Sequence, residues 1–201
     1  MNYLPIRRAL LSVTDKSGLE QLCATLAQGN IAMVSTGGTH TMIREAGFHV
    51  ASVQDVTGFP EILGGRVKTL HPRIHAGVLA DKDQPSHWQV LDELDIKAFD
   101  LICVNLYNFA KALKKKSTPR ELVEAIDIGG PTLLRAGAKN YHSVLVLPSP
   151  EDYPAFIEEC RSNHFQISLS FRQKMAVKTF DLISRYDALI AKGLAELQSE
   201  E

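Results

Sequence analysis

Cysteine is scarce in this chain and has no pairing pattern: Cys23, Cys103 and Cys160 are widely separated, with no Cys-x-x-Cys. An odd, scattered set fits reduced thiols in a reducing compartment, the cytoplasm, and not a disulfide framework. An excess of either charge is also missing, since 22 lysines and arginines face 23 aspartates and glutamates for a formal net charge of −1. No global field therefore draws in nucleic acid or an anionic membrane, and any anion site has to be local. Lys114–Lys116 is the nearest approach to a basic patch and reads as a solvated helix end. Long apolar runs are absent. The stretch after Arg7 and Arg8 is broken by Asp15 and Lys16, too soon for a signal peptide or a membrane span. The Gly-x-Gly-x-x-Gly and Gly-x-x-x-x-Gly-Lys-Ser/Thr fingerprints are absent too, which disfavours a dinucleotide or nucleoside-triphosphate site.

What is present is a chain of 201 residues, 45% hydrophobic, enough for one domain with a real core and unlike a disordered chain or a repeat array. Short β-rich runs alternate with helical stretches, the pattern of an α/β domain with a mainly parallel sheet. Strands are expected over residues 9–13, 31–35 and 50–53, with helices over 17–28 and 39–46. Residues 99–105 (FDLICVN) and 143–147 (SVLVL) are apolar runs of the kind found in strands covered on both faces. Helices are expected over 119–126 and 131–138, each with proline in its first turn. No strand signal follows Pro150, and residues 168–197 carry apolar positions at helical spacing. The expectation is an α/β domain over residues 1–150 and a helical extension over 151–201 packed on it.

Three Gly-Gly pairs mark candidate binding segments. The first, Ser35-Thr36-Gly37-Gly38-Thr39, follows a strand and opens a helix. It reads either as a phosphate-binding loop of backbone N–H groups and hydroxyls at a helix N-terminus, or as a tight strand-to-helix turn with a threonine N-cap. The second opens Gly64-Gly65-Arg66-Val67-Lys68-Thr69-Leu70-His71-Pro72, where two cations and a hydroxyl beside a hinge suit an anionic substrate or an ordinary surface loop. His71 and His75 stand four apart, but no further ligand completes a zinc set, so no metal is expected. The third lies in Ile126-Asp127-Ile128-Gly129-Gly130-Pro131, continuing to Lys139. An aspartate between isoleucines is expected to be partly buried, with a pKa raised toward that of a useful base. Lys139 reads as a cation suited to a helix C-terminus.

These segments also carry a family resemblance. SVTDKSGL (12–19), VSTGGT (34–39), VTGFPEILGGRVKTLHPRIHAGVLA (56–80), VNLYNF (104–109) and DIGGPTLLRAGAKN (127–140), in this order, strongly resemble the IMP cyclohydrolase domain of the bifunctional purine-biosynthesis enzymes. The similarity runs from about Arg8 to about Leu194. It implies a methylglyoxal-synthase-like three-layer α/β sandwich and a hydrolase of the cyclic amidine class. The reaction implied is the dehydrating closure of 5-formamidoimidazole-4-carboxamide ribotide (FAICAR) to inosine monophosphate (IMP), with no metal or organic cofactor.

By position, the resemblance casts Asp127 as the base and Lys139 as the acid or proton shuttle. Lys68, Tyr107 and Asn105 become stabilisers of charge on the formyl oxygen. Ser12, Thr14, Lys16, Ser35, Thr36, Gly37, Gly38 and Thr39 would hold the 5′-phosphate. Arg66, Val67, Thr69, Val104, Ile128, Gly129 and Gly130 would line the substrate. A straight helix from Pro131 to Lys139 would span roughly 12 Å, so whether Asp127 and Lys139 converge stays open. Partners implied are the nucleotide substrate and product and a homodimer, with no nucleic acid and no membrane; the family's folate-dependent formyltransferase domain is expected to lie outside this chain.

Two departures stand out. Asn108 replaces the family's usual proline, which predicts a looser turn after Tyr107, and Gly137 replaces alanine inside a helix at a cost of roughly 1 kcal/mol. Two other readings remain: a non-catalytic effector module, since the regulatory domain of carbamoyl-phosphate synthetase resembles this fold and its Thr-Gly-Gly-Thr loop, and a methylglyoxal synthase. The first has no reason to keep Lys68, Tyr107, Asp127 and Lys139 together; the second does not share the GGRVKTLHP and IDIGG segments.

Overall fold

The computed structural model describes residues 1–115 and 118–198, so Lys116 of the lysine cluster and the last three residues of the expected extension lie outside the described residues. After a short strand β1 (Tyr3–Pro5), the chain enters β2 (Arg8–Ser12), α1 (Leu19–Gln28), β3 (Ala32–Ser35), α2 (Gly37–Glu45), β4 (Ala51–Ser52) and α3 (Val53–Thr57). Helices α4 (Pro72–Leu79) and α5 (Pro85–Glu93) lead to β5 (Leu101–Val104). Then follow α6 (Phe109–Lys114), α7 (Pro119–Glu124), α8 (Gly129–Lys139), β6 (Leu145–Leu147), α9 (Tyr153–Ser162), β7 (Gln166–Ser168) and α10 (Leu169–Gln198).

The main sheet has the order β4-β3-β2-β5-β6, and every pairing in it is parallel. Its centre explains the apolar runs: Leu10 stands between Val34 and Ile102, and Ile102 is followed across the sheet by Val146. All four side chains are essentially inaccessible because helices cover both faces of the sheet, so period-two alternation has no reason to appear. The chain runs outward from β2 to β3 and β4 and then returns to the other side of β2 as β5. Ligands of open parallel sheets sit at the carboxyl ends of strands beside such a reversal. Ser12, Ser35 and Val104 are the strand ends that fall there.

Strand content after Pro150 corrects the expectation. β7 pairs antiparallel with β1, Leu4 opposite Ile167, in a separate two-stranded sheet. Three-residue strands are too short to display a periodicity, and their pairing joins the first strand to the segment that leads into α10. Arg172 of α10 fastens the same corner. Its fully buried guanidinium donates to the carbonyl oxygens of Met1, Tyr141, His142 and Ile167, which replace the hydration it loses. Helix α10 then lies along α8 and β6, and the apolar core is continuous across residue 150, from Leu4 to Ile183.

Both departures from the family pattern have local reasons. Gly137 lies where α8 presses on the sheet: a Cβ there would stand 2.5 Å from Val146 Cγ1, so glycine permits the close approach. Asn108 does not loosen its turn; its side-chain oxygen accepts the Lys111 N–H at 3.0 Å and caps α6. No helix among the described residues is long and apolar enough to cross a membrane.

Candidate active site

A cavity of about 760 Å³ lies over the carboxyl ends of β2, β3 and β5, within the range typical of small-molecule sites. All three Gly-Gly segments reach it. Every expected site residue lines it except Ser35 and Lys139.

One end is built for an anion. Helix α2 starts at Gly37 and not at residue 39, after an extended Thr36 whose side chain makes no capping hydrogen bond. Its first amides therefore stay available to a ligand, at the positive end of the helix dipole. Gly37 is left-handed, with φ +55, and a Cβ on it would stand 3.6 Å from the Lys68 ammonium; one on Gly38 would stand 3.9 Å from that of Lys16. Two cations thus overhang one helix N-terminus. The Thr39 hydroxyl accepts the Val13 N–H at 3.0 Å and donates to the Val13 carbonyl at 2.9 Å, which ties α2 to the end of β2. Ser35 is wholly buried and donates to the Leu11 carbonyl at 2.7 Å. These two hydroxyls fix the backbone, and Thr39 also lines the cavity together with Ser12, Thr14, Thr36 and Thr69.

Asn105 holds the neighbouring loop. Its side-chain oxygen accepts the N–H groups of Thr14 at 2.6 Å and Asp15 at 2.9 Å, and its amide donates to the Asp15 carbonyl at 2.9 Å. It also interacts with the Tyr153 hydroxyl. A carboxamide has two acceptor lone pairs and two N–H donors, and the hydrogen bonds to the loop use both acceptors and one donor. Asn105 is therefore the brace of the Thr14–Lys16 loop.

Across the cavity, Asp127 precedes α8 and its Oδ1 accepts the Gly130 N–H at 2.9 Å. Burial pushes its carboxyl above the ordinary 3.8, against the opposing pull of Gly130, a Tyr107 backbone hydrogen bond and the Lys68 charge. Its own N–H donates to the Tyr186 hydroxyl at 2.9 Å, from α10. Gly129 abuts Thr69, whose hydroxyl oxygen lies 3.0 Å from where a Cβ would be.

The mouth is bordered by a flap in which Ile62 and Val67 pair across Leu63-Gly64-Gly65-Arg66, with Leu63-Gly64-Gly65 at its tip. All three tip residues have positive φ, an uncommon state for leucine, and Leu63 is 70% exposed. Arg66, expected along the substrate, grips Glu124 of α7 from this flap. Lys139 sits exposed at the far end of the 11-residue α8, about 15 Å from its start at 1.5 Å per residue. Asp127 lines the cavity and Lys139 does not. His71 accepts the Arg73 N–H and caps α4. His75, half-buried, has an unbonded Nε2 and a pKa lowered by burial. No group of three or more potential metal ligands occurs among the described residues.

Sequence reasoning passed over Glu124, Tyr153 and Tyr186. The two tyrosines lie behind the cavity wall and had no motif to mark them.

Residues 18–132 match the MGS-like domain family and residues 137–201 the AICARFT/IMPCHase bienzyme family. The bifunctional purine biosynthesis protein PurH of Acetivibrio thermocellus is 45% identical over 98% of this chain and 38% of its own length. That of Lacticaseibacillus paracasei is 50% identical over 94% of this chain and 37% of its own. The chain thus spans under two fifths of the length of these curated relatives. The crystal structure of ForH superposes with a TM-score of 0.82 at 32% identity, covering 94% of this chain and 98% of that one. On these matches the chain belongs to the MGS-like domain family and carries the further signature of the AICARFT/IMPCHase bienzymes.

Proposed function

We propose that the chain is an IMP cyclohydrolase, closing FAICAR to IMP with loss of water. The supporting observation is one cavity holding a carboxylate of raised pKa, Asp127, an ammonium acting on it, Lys68, and an uncapped helix N-terminus with Lys16 above it. The 5′-phosphate takes the α2 end, with Lys16, Thr14, Ser12 and Thr36. The imidazole substituents then lie toward Lys68, Tyr107 and Asp127.

Both reacting groups belong to the substrate, so the site has to hold a near-attack conformer and move protons. The carboxamide nitrogen bonds to the formyl carbon while Asp127 takes one of its protons. The formyl oxygen, held by Lys68 and Tyr107, becomes a hydroxyl by accepting a proton from Lys68. Asp127 returns its proton to Lys68, and the C–O bond then breaks as Lys68 protonates the departing hydroxyl. The formamide nitrogen gives its proton to Asp127, which passes it back to Lys68, and the ring C=N bond forms. The water that leaves carries the formyl oxygen and one proton from each nitrogen. Lys68 takes the acid's role because Lys139 stands outside the cavity.

A formyl-transferring activity outside this chain would supply the substrate, in keeping with relatives named bifunctional. We place the reaction in the cytoplasm, in keeping with three unpaired, buried cysteines. A homodimer belongs to the same proposal: Leu63, Tyr107, Val123 and Ile128 expose large apolar surfaces around the mouth, which a second copy would cover. Calorimetric titration with IMP and with inosine tests the site. IMP should bind at least about tenfold more tightly, since a phosphate on a helix N-terminus with two cations is worth well over 1.4 kcal/mol. Equal binding of the two would refute the assignment of the anion end.

A further inference from the structure

The two halves of the cavity, one holding the anion and one holding the carboxylate, are each braced from behind by a tyrosine of the C-terminal segment. Tyr153, at the start of α9, is almost fully buried. Its hydroxyl lies 3.3 Å from the Cys103 thiol and interacts with the Asn105 side chain. Its ring packs under the left-handed Gly18, where a Cβ would approach within 3.3 Å of ring carbon Cδ2. Tyr153 therefore supports the Thr14–Gly18 loop twice, through Asn105 at its beginning and directly at its end. Tyr186, on α10, accepts the backbone N–H of Asp127 at 2.9 Å, and its ring meets Phe109 edge-on with centroids 6.5 Å apart. It fixes the residue whose carboxylate faces the cavity. Neither tyrosine lines the cavity, so neither would touch a ligand held there.

We infer that Tyr153 and Tyr186 are positioning residues with separable effects: Tyr153 sets the affinity of the anion loop through Asn105, and Tyr186 sets the efficiency of Asp127. The inference rests on the cyclohydrolase reading for its kinetic half only. The physical basis is the same in both places. Removing one hydroxyl leaves a buried or half-buried partner without its hydrogen bond while the ring keeps its packing, so the damage stays with the group that was held. Loop contacts to a phosphate change little during ring closure and appear in KM, whereas a displaced base appears in kcat.

The test uses Tyr153→Phe and Tyr186→Phe in the full chain, with circular dichroism to establish folding. Tyr153→Phe should raise KM for FAICAR about fivefold with kcat within about twofold of the parent, and should weaken IMP but not inosine in calorimetry. Tyr186→Phe should lower kcat about fivefold with KM held, and should add nothing further in an Asp127→Asn background. Folded variants in which KM and kcat move together, or in which neither moves, overturn the inference while the parent still closes the ring. If the parent chain closes no ring, the functional reading fails. The IMP-against-inosine comparison then still decides Tyr153, with equal loss for both ligands counting against it. If either phenylalanine variant does not fold, Asn105→Ser, which removes the brace from its other end, must reproduce the loss of phosphate discrimination; retention of full discrimination overturns the role of Tyr153.

Discussion

The carboxylate of Asp127 accepts the N–H of Gly130 at 2.9 Å, so the candidate base also caps the helix that follows it. Asparagine keeps an oxygen for that bond and cannot take a proton from the substrate. Asp127→Asn should therefore fold normally and lose at least about a hundredfold in kcat, with IMP still bound. Parent-like turnover in the folded variant would remove Asp127 from the mechanism.

Burial holds the Asp127 carboxyl above its ordinary 3.8, so the fold favours its neutral form. That contribution to stability is complete below 3.8 and is lost as pH rises through the higher folded value. At pH 7 Asp127→Asn should accordingly melt at a higher temperature than the parent, and the gap should close as pH falls below about 4. The same shift places the acid limb of kcat above the usual aspartate range. Thermal melts and a pH–rate profile check both statements; a variant less stable than the parent at pH 7 would contradict them.

Lys16 and Thr39 separate contact from support. Lys16→Ala should raise KM more than it lowers kcat and leave the melting temperature near that of the parent. Thr39→Val strips both hydrogen bonds from Val13, so it should raise KM and also cost about 1–3 kcal/mol in denaturant unfolding. Equal stability of the two variants would show that the Thr39 hydroxyl faces the ligand instead.

Much of this arrangement was legible in the chain, and the remainder shows where legibility stops. The runs over residues 101–104 and 144–147 announced buried parallel strands because no polar residue interrupts either. Three glycine-hinged polar segments announced one site, and they do line one cavity. A hydroxyl's direction is another matter. Ser35 and Thr39 sit in a loop whose composition suits phosphate, yet both turn to backbone groups in and just after β2, a choice made by strand pairing far along the chain. The brace from Tyr186 to Asp127 spans 59 residues and has no local signal at either end. The role that resemblance suggests for Lys139 was put in question by one helix length alone.

Gly137→Ala would ordinarily gain about 1 kcal/mol of helix propensity. Here the new methyl group would meet Val146 Cγ1 at 2.5 Å inside a strand-facing contact. The expected outcome is a net loss of about 1–3 kcal/mol, partly recovered when Val146→Ala is added. A stabilised single variant would mean that α8 can lift from the sheet at little cost.

The three thiols are all buried, and the Cys23, Cys103 and Cys160 pKa values are each pushed up to about 12, chiefly by burial. The native chain should show no thiol reactive toward a disulfide reagent at pH 8, and three after denaturation. Rapid labelling of one thiol in the native state would contradict the packing described around it.

The most direct test of the account is ring closure by the purified chain alone, followed by the appearance of IMP absorbance. With FAICAR and a chelator present, the account predicts turnover that saturates with substrate and falls at least about a hundredfold in Asp127→Asn. No turnover by the folded parent chain, or equal turnover by parent and variant, would contradict it.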